Sequence, residues 1–109
     1  MPRSKRRQLV LLGPATGKSE NAPLGRIREV RQTLAGYNTG PDGTAAEGAA
    51  LERLHGPGMV IELPTSGDVV TQAMASLNDE AIAWPVLEKL CKTLGWRLMD
   101  VETGRVMSW

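Results

Sequence analysis

The chain has one cysteine, one histidine, one tyrosine and no phenylalanine in 109 residues. A lone Cys91 cannot form an internal disulfide, so an apolar core must hold the fold. A tetrahedral zinc site needs about four ligands, and the single His and Cys supply no recognisable set. His55 follows Leu54 at an expected helix end and reads as a surface or capping residue. Cys91 lies on a stripe with Leu87, Leu90 and Leu94 and reads as a small buried hydrophobe. Neither a metal nor a cofactor is expected.

Long apolar runs are also missing. The basic start is followed by Leu9–Leu12, which mimics a signal peptide. That run stops at Gly13-Pro14 after four residues, whereas a secretory core needs about 7–15 and a membrane span about 18. The expectation is a cytoplasmic protein with no membrane partner. Excess charge of one sign is absent too, with 13 Lys plus Arg against 12 Asp plus Glu. That balance excludes a wholly basic nucleic-acid binder and an acidic tail protein. At 41% apolar and 23% charged residues, the composition is that of a globular chain.

What is present is unevenly spread. Residues 1–18 carry five cations and no acid, while residues 56–109 carry four cations against seven acids. Nine of the 12 glycines fall in residues 1–58, and Trp84, Trp96 and Trp109 all lie in the last 26 residues. Aromatic side chains bury large areas, so the compact unit is expected at 57–109. Residues 1–25 read as a flexible basic arm and loop, and residues 26–56 as a weakly packed helical region.

Periodicity fills in the elements. A short strand is possible at Gln8–Leu12. Ile27, Val30 and Leu34 predict a helix over 26–35, with Gly36 as its stop. Thr44, with Glu47 in the capping-box position, opens a second weak helix through Leu54. Met59–Leu63 reads as a strand between Gly58 and Pro64. Val70, Ala73, Met74 and Leu77 predict a helix over 69–77. Asp79 caps the next helical stretch, where Pro85 is expected in the first turn of a new helix ending at Leu94, with Gly95 in the left-handed cap. Trp96–Val101 and Arg105–Trp109 read as strands around Glu102-Thr103-Gly104, with Leu98 and Asp100 facing opposite to Arg97, Met99 and Val101. If strand 59–63 neighbours strand 96–101 in parallel, their crossover should be right-handed. The result is a small α+β domain with a three-stranded sheet, in the order strand–helix–helix–strand–hairpin–strand, with the helices on one face. Its expected core is Val60, Ile61, Val70, Met74, Leu77, Ile82, Leu87, Leu90, Leu94, Trp96 and Leu98.

Four patterns suggest chemistry. Gly13-Pro-Ala-Thr-Gly-Lys-Ser19 resembles a phosphate-binding loop, with Lys18 and Ser19 as its nucleotide contacts. It has three residues between its glycines instead of four, and Pro23 and Gly25 interrupt the helix that should follow. A solvated loop is the better reading. Arg3, Lys5, Arg6 and Arg7 suit salt-dependent phosphate contact. The expected element order matches a winged helix–turn–helix, with residues 79–95 as the groove helix presenting Lys89 and Lys92, and Arg105 on the wing. The acidic balance of 56–109 and Pro85 within that helix oppose it. Asp79/Glu80 and Asp100/Glu102 are the carboxylate pairs, and they read as a helix cap and polar hairpin residues.

No complete catalytic constellation results, so an enzyme is not expected. The leading expectation is a non-catalytic binding or adaptor module for a protein partner. Its contact surface would be a sheet edge or an apolar patch around Trp84 and Trp109. A winged-helix nucleic-acid binder aided by the basic arm is the alternative, and nucleotide binding ranks last.

Overall fold

A computed structural model describes residues 7–14, 22–40, 51–65 and 67–108. Chain order is β1 (Arg7–Leu12), β2 (Gly25–Arg26), α1 (Ile27–Ala35), β3 (Leu51–Gly56), β4 (Met59–Pro64), β5 (Val69–Val70), β6 (Gln72–Leu77), α2 (Glu80–Leu94), β7 (Arg97–Asp100) and β8 (Val106–Met107). Six strands form one sheet in the order β3-β4-β6-β1-β7-β8, while β2 and β5 pair separately. Every pairing is antiparallel.

The α+β class and its two helices agree with the sequence, but the sheet has six strands in place of three. The added strands come from three segments: one that the sequence offered as a strand but assigned to the arm, and two misread as helix. Leu9–Leu12 belongs to β1, which lies between β6 and β7. A strand from the expected arm therefore sits inside the sheet, and the packed unit is not confined to 57–109. Leu51–Gly56 is β3 instead of a helix end: Leu54 is buried whereas Leu51 is half exposed. The rest of that expected helix, including Thr44 and Glu47, lies outside the described residues.

The third correction is residues 69–77, which are β5 and β6 instead of a helix. Val70, Ala73 and Leu77 fit a helical period, but Ala73, Ala75 and Leu77 also fit a period of two, and all three are buried. The β-branched Val69, Val70 and Thr71 favour extended backbone. Pairing with β1 and β4 on both sides then decides the matter. As a result β4 and β7 are neither neighbours nor parallel, and the expected crossover between them does not exist. α2 instead joins β6 to β7 across β1.

The core lies between one sheet face and the helices. Leu9, Leu11, Leu54, Met59, Ile61, Leu63 and Leu98 point inward from the strands, against Val30 and Leu34 of α1 and Ala83, Leu87, Leu90 and Cys91 of α2. Fully burying one such aliphatic side chain contributes about 1.5–3 kcal/mol. Three expected core residues lie elsewhere. Val60 and Met74 project to the other face, being one residue out of phase with Ile61 and Ala73, and Ile82 is half exposed on α2.

Helix α2 is continuous from Glu80 to Leu94, with Pro85 inside it, which corrects the expected break. Proline removes the N–H that would bond to the carbonyl of Ala81. Ala81 and Pro85 are both exposed, so water can satisfy that carbonyl. The ends match the sequence: Asp79 accepts from the Ile82 N–H at 3.3 Å, and Gly95 takes φ 76° while its N–H donates to the Cys91 carbonyl.

The β3–β4 hairpin holds the start of α2 against the sheet. Its two-residue loop is Pro57-Gly58, since Gly56 pairs with Met59. Gly58 has φ +66°, and a Cβ there would run into the Asp79 carbonyl oxygen. Its own carbonyl accepts from the N–H groups of Asn78 and Asp79 at 2.9 and 3.0 Å.

Candidate functional site

The sheet has two unlike faces. Side chains alternate along a strand, so the face opposite the helices carries the other half of each strand. By register, one cross-strand row there runs Arg53, Glu62, Met74, Val10, Met99, Val106. A parallel row holds Leu51, Pro64, Gln72, Leu12 and Arg97. Val10 and Leu12 are buried yet stand apart from the main core cluster, because they belong to this second face. No described helix contributes to it.

The face is apolar at its centre and charged at its rim. Met74 and Met99 flank Val10 as its partners on either side and are partly exposed. Methionine is adaptable in contact, because its unbranched thioether repacks easily. Arg53 and Glu62 pair across the strands at 3.2 Å. Arg97 donates from Nε to the Gly13 carbonyl at 3.4 Å. Five large hydrophobics are exposed among the described residues, and two of them, Leu51 and Val106, fall on this face. A shallow cleft of about 220 Å³ between Val10, Leu51, Glu62, Gln72 and Met74 indents it.

A second cluster closes one end of the inner face. The Arg7 guanidinium reaches Asp100 Oδ2 at 3.0 Å and Glu80 Oε1 at 3.3 Å. It lies 5.3 Å from the centroid of the Trp84 ring, a cation–π distance. The Trp84 indole donates to Glu80 at 3.3 Å. Asp100 Oδ1 accepts from the N–H groups of Glu102 and Thr103, which shapes the β7–β8 turn. Burial pushes the Asp100 carboxyl up, but the Glu102 N–H, Arg7 and the Thr103 N–H together hold it below its ordinary value. The Asp100 hydrogen bond raises Arg7 further. A cleft of about 560 Å³ adjoins these groups. Its charges pair with one another, and the cluster forms a clasp joining β1, α2 and the terminal hairpin.

Of the sequence-derived site residues that are described, Arg7 and Trp84 come together in the clasp, whereas Lys89 and Lys92 stand apart from it. Trp84 is half-buried against the core and engaged by Arg7, whereas Trp109 lies outside the described residues. Arg3, Lys5, Arg6, Lys18 and Ser19 are likewise outside them. The Ala22 N–H donates to the Pro14 carbonyl at 2.9 Å. The next described helix begins only at Ile27, whereas a phosphate-binding loop opens directly into its helix at the Lys-Ser pair. Lys89 and Lys92 are exposed on the C-terminal half of α2. Arg105 sits beside Asp100, at the Glu80 end. Twelve helical residues separate that end from Lys92, about 18 Å at the usual rise. The helix pair of a helix–turn–helix is not formed over 69–94, since its first member is strand.

Cys91 is buried, and burial pushes its thiol up to about 12. Such a thiol stays protonated and unreactive. Among the described residues no group of three or more His, Cys, Asp or Glu side chains is placed to hold a metal ion, and no helix is long and apolar enough to cross a membrane. Comparison with protein-family models, with curated proteins and with solved structures finds no match.

Proposed function

We propose that this chain is a non-catalytic interaction module that binds protein through the helix-free face of its sheet. The observation that carries the reading is the pair of about half-exposed residues Leu51 and Val106 on the face of the partly exposed Met74 and Met99. An apolar centre with a polar rim is the anatomy of a protein interface, and exposed apolar patches on small domains mark contact surfaces. The clasp around Arg7 serves this reading by fixing β1 and β7, the two strands that supply Val10 and Met99.

The test is site-directed photo-crosslinking in cells that express the protein. A photoreactive residue at Val106 or Leu51 should give protein adducts. The same residue at Lys89, on the exposed side of α2, should give none. Adducts from position 89 alone, or from no position, would overturn the reading.

A further inference from the structure

We infer that Met74 and Met99 form an oxidation-sensitive pair, and that a peroxide acting on their thioethers switches the helix-free face from apolar to polar. The inference rests on the binding role proposed above and names its regulation.

The sheet sorts the sulfur atoms of this chain by access. Of five methionines and one cysteine, Met1 lies outside the described residues. Cys91 is buried in the core cluster, and Met59 is 1% exposed. Met107 pairs with Leu98 and packs against the core cluster, on the covered face. Among the described residues that leaves Met74 and Met99, both partly exposed on the helix-free face. They are the cross-strand partners of Val10 on its two sides, so their backbones stand about 10 Å apart at the usual strand spacing. The thiol does not compete for oxidant. Burial pushes Cys91 up to about 12, and the thiolate is the reactive form.

The chemistry needs only hydrogen peroxide as co-reactant. A sulfur lone pair attacks one peroxide oxygen, the O–O bond breaks, and the other oxygen leaves as water. Sulfur is oxidised by two electrons and the peroxide is reduced by two. The product sulfoxide is polar, where the thioether was apolar and flexible. Two sulfoxides beside Val10, itself 6% exposed, place polar oxygens at the apolar centre of the face. Covering them with a partner that offers no hydrogen bond is costly. A sulfoxide reductase reverses the change: a dithiol supplies two electrons, becomes a disulfide, and the oxygen leaves as water.

The test begins with hydrogen peroxide on the purified full chain, followed by peptide mass mapping. Met74 and Met99 should each gain one oxygen at least tenfold faster than Met59, and denaturant should remove the difference. The chain with a photoreactive residue at Leu51, oxidised or not, is then illuminated in extract of the cells that express it. Oxidation should cut the yield of protein adducts at least threefold, and sulfoxide reductase with a dithiol should restore it. In Met74→Leu/Met99→Leu the ratio of treated to untreated yield should stay near one, whatever its starting value. Met74 and Met99 oxidising no faster than Met59 overturns the inference. Adducts that survive full oxidation of both residues, or an equal loss in the double-leucine variant, sink the switch and leave the binding role standing. A chain that gives no adducts before treatment sinks the binding role and the switch together.

Discussion

The two faces of the sheet are built from the same six strands and differ in what they meet. On the covered face Leu9, Leu11, Ile61, Leu63 and Leu98 are fully buried beneath two helices. On the other, Val10 and Leu12 are buried but Met74 and Met99 are half-open, and Leu51 and Val106 are about half exposed. The covered face is aliphatic and rigid, with small Ala73 and Ala75 in its middle strand. The open face uses long, adaptable methionines and ends in the Arg53–Glu62 ion pair. The difference teaches that one face is filled by the chain's own helices, whereas the other meets no described helix and leaves Leu51 and Val106 about half exposed; it is to this second face that the proposed function assigns recognition.

The hardest way to test that division is to cut into the covered side. Leu11→Ala removes a fully buried side chain from the central strand and should cost about 2–5 kcal/mol by denaturant unfolding. A loss under 1 kcal/mol would mean that the two faces are not energetically distinct. Gly58→Ala comes next, since it drives a Cβ into the Asp79 carbonyl at a positive φ. A strained backbone of this kind costs about 1–3 kcal/mol, read as a lower Tm. A neutral result would show that the hairpin does not hold α2 against the sheet.

The clasp at the end of the covered face gives the contrast a pH signature. Asp100 titrates below its ordinary value in the folded chain, so its contribution is present above the unfolded carboxylate value, about 3.9. It is lost as pH falls through the lower folded value. Asp100→Asn should therefore lower Tm at pH 7, and the gap from the unmodified chain should narrow below about pH 4. A gap that is constant from pH 7 to 3 would remove the Arg7–Asp100 pairing from the account. Cys91 sharpens the same side differently. With its thiol buried and pushed up to about 12, it should resist alkylation at pH 8 until denaturant opens the core.

Much of the covered face was legible, because its signals are local. Ile27, Val30 and Leu34 announced α1, Asp79 and Gly95 marked the ends of α2, and the alternation of Leu98 and Asp100 against Arg97 and Met99 sorted β7 correctly. The topology was not legible, because it rests on pairings remote in sequence. Arg7 meets Asp100 across 93 positions, and nothing near Leu9 says that its partners are Ala75 and Asp100. Residues 69–77 satisfied two periods at once, and only neighbours on both sides select the strand. The open face was hidden for the same reason. Met74, Val10 and Met99 become a row only in the sheet, although the alternation already placed Met99 and Val101 together. Attention to tryptophan pointed instead to Trp84, which is occupied by Arg7.

The smallest effect is the most discriminating. Val106→Ser removes an apolar side chain from the rim of the open face, where substitutions usually change stability by less than about 0.5 kcal/mol. Its Tm should therefore match that of the unmodified chain. Cross-linking to protein from position 51 should nevertheless fall in the serine variant, which separates what Val106 contributes to folding from what it contributes to contact. A serine variant that is clearly destabilised would assign Val106 to the core, and the two faces would then differ in degree and not in purpose.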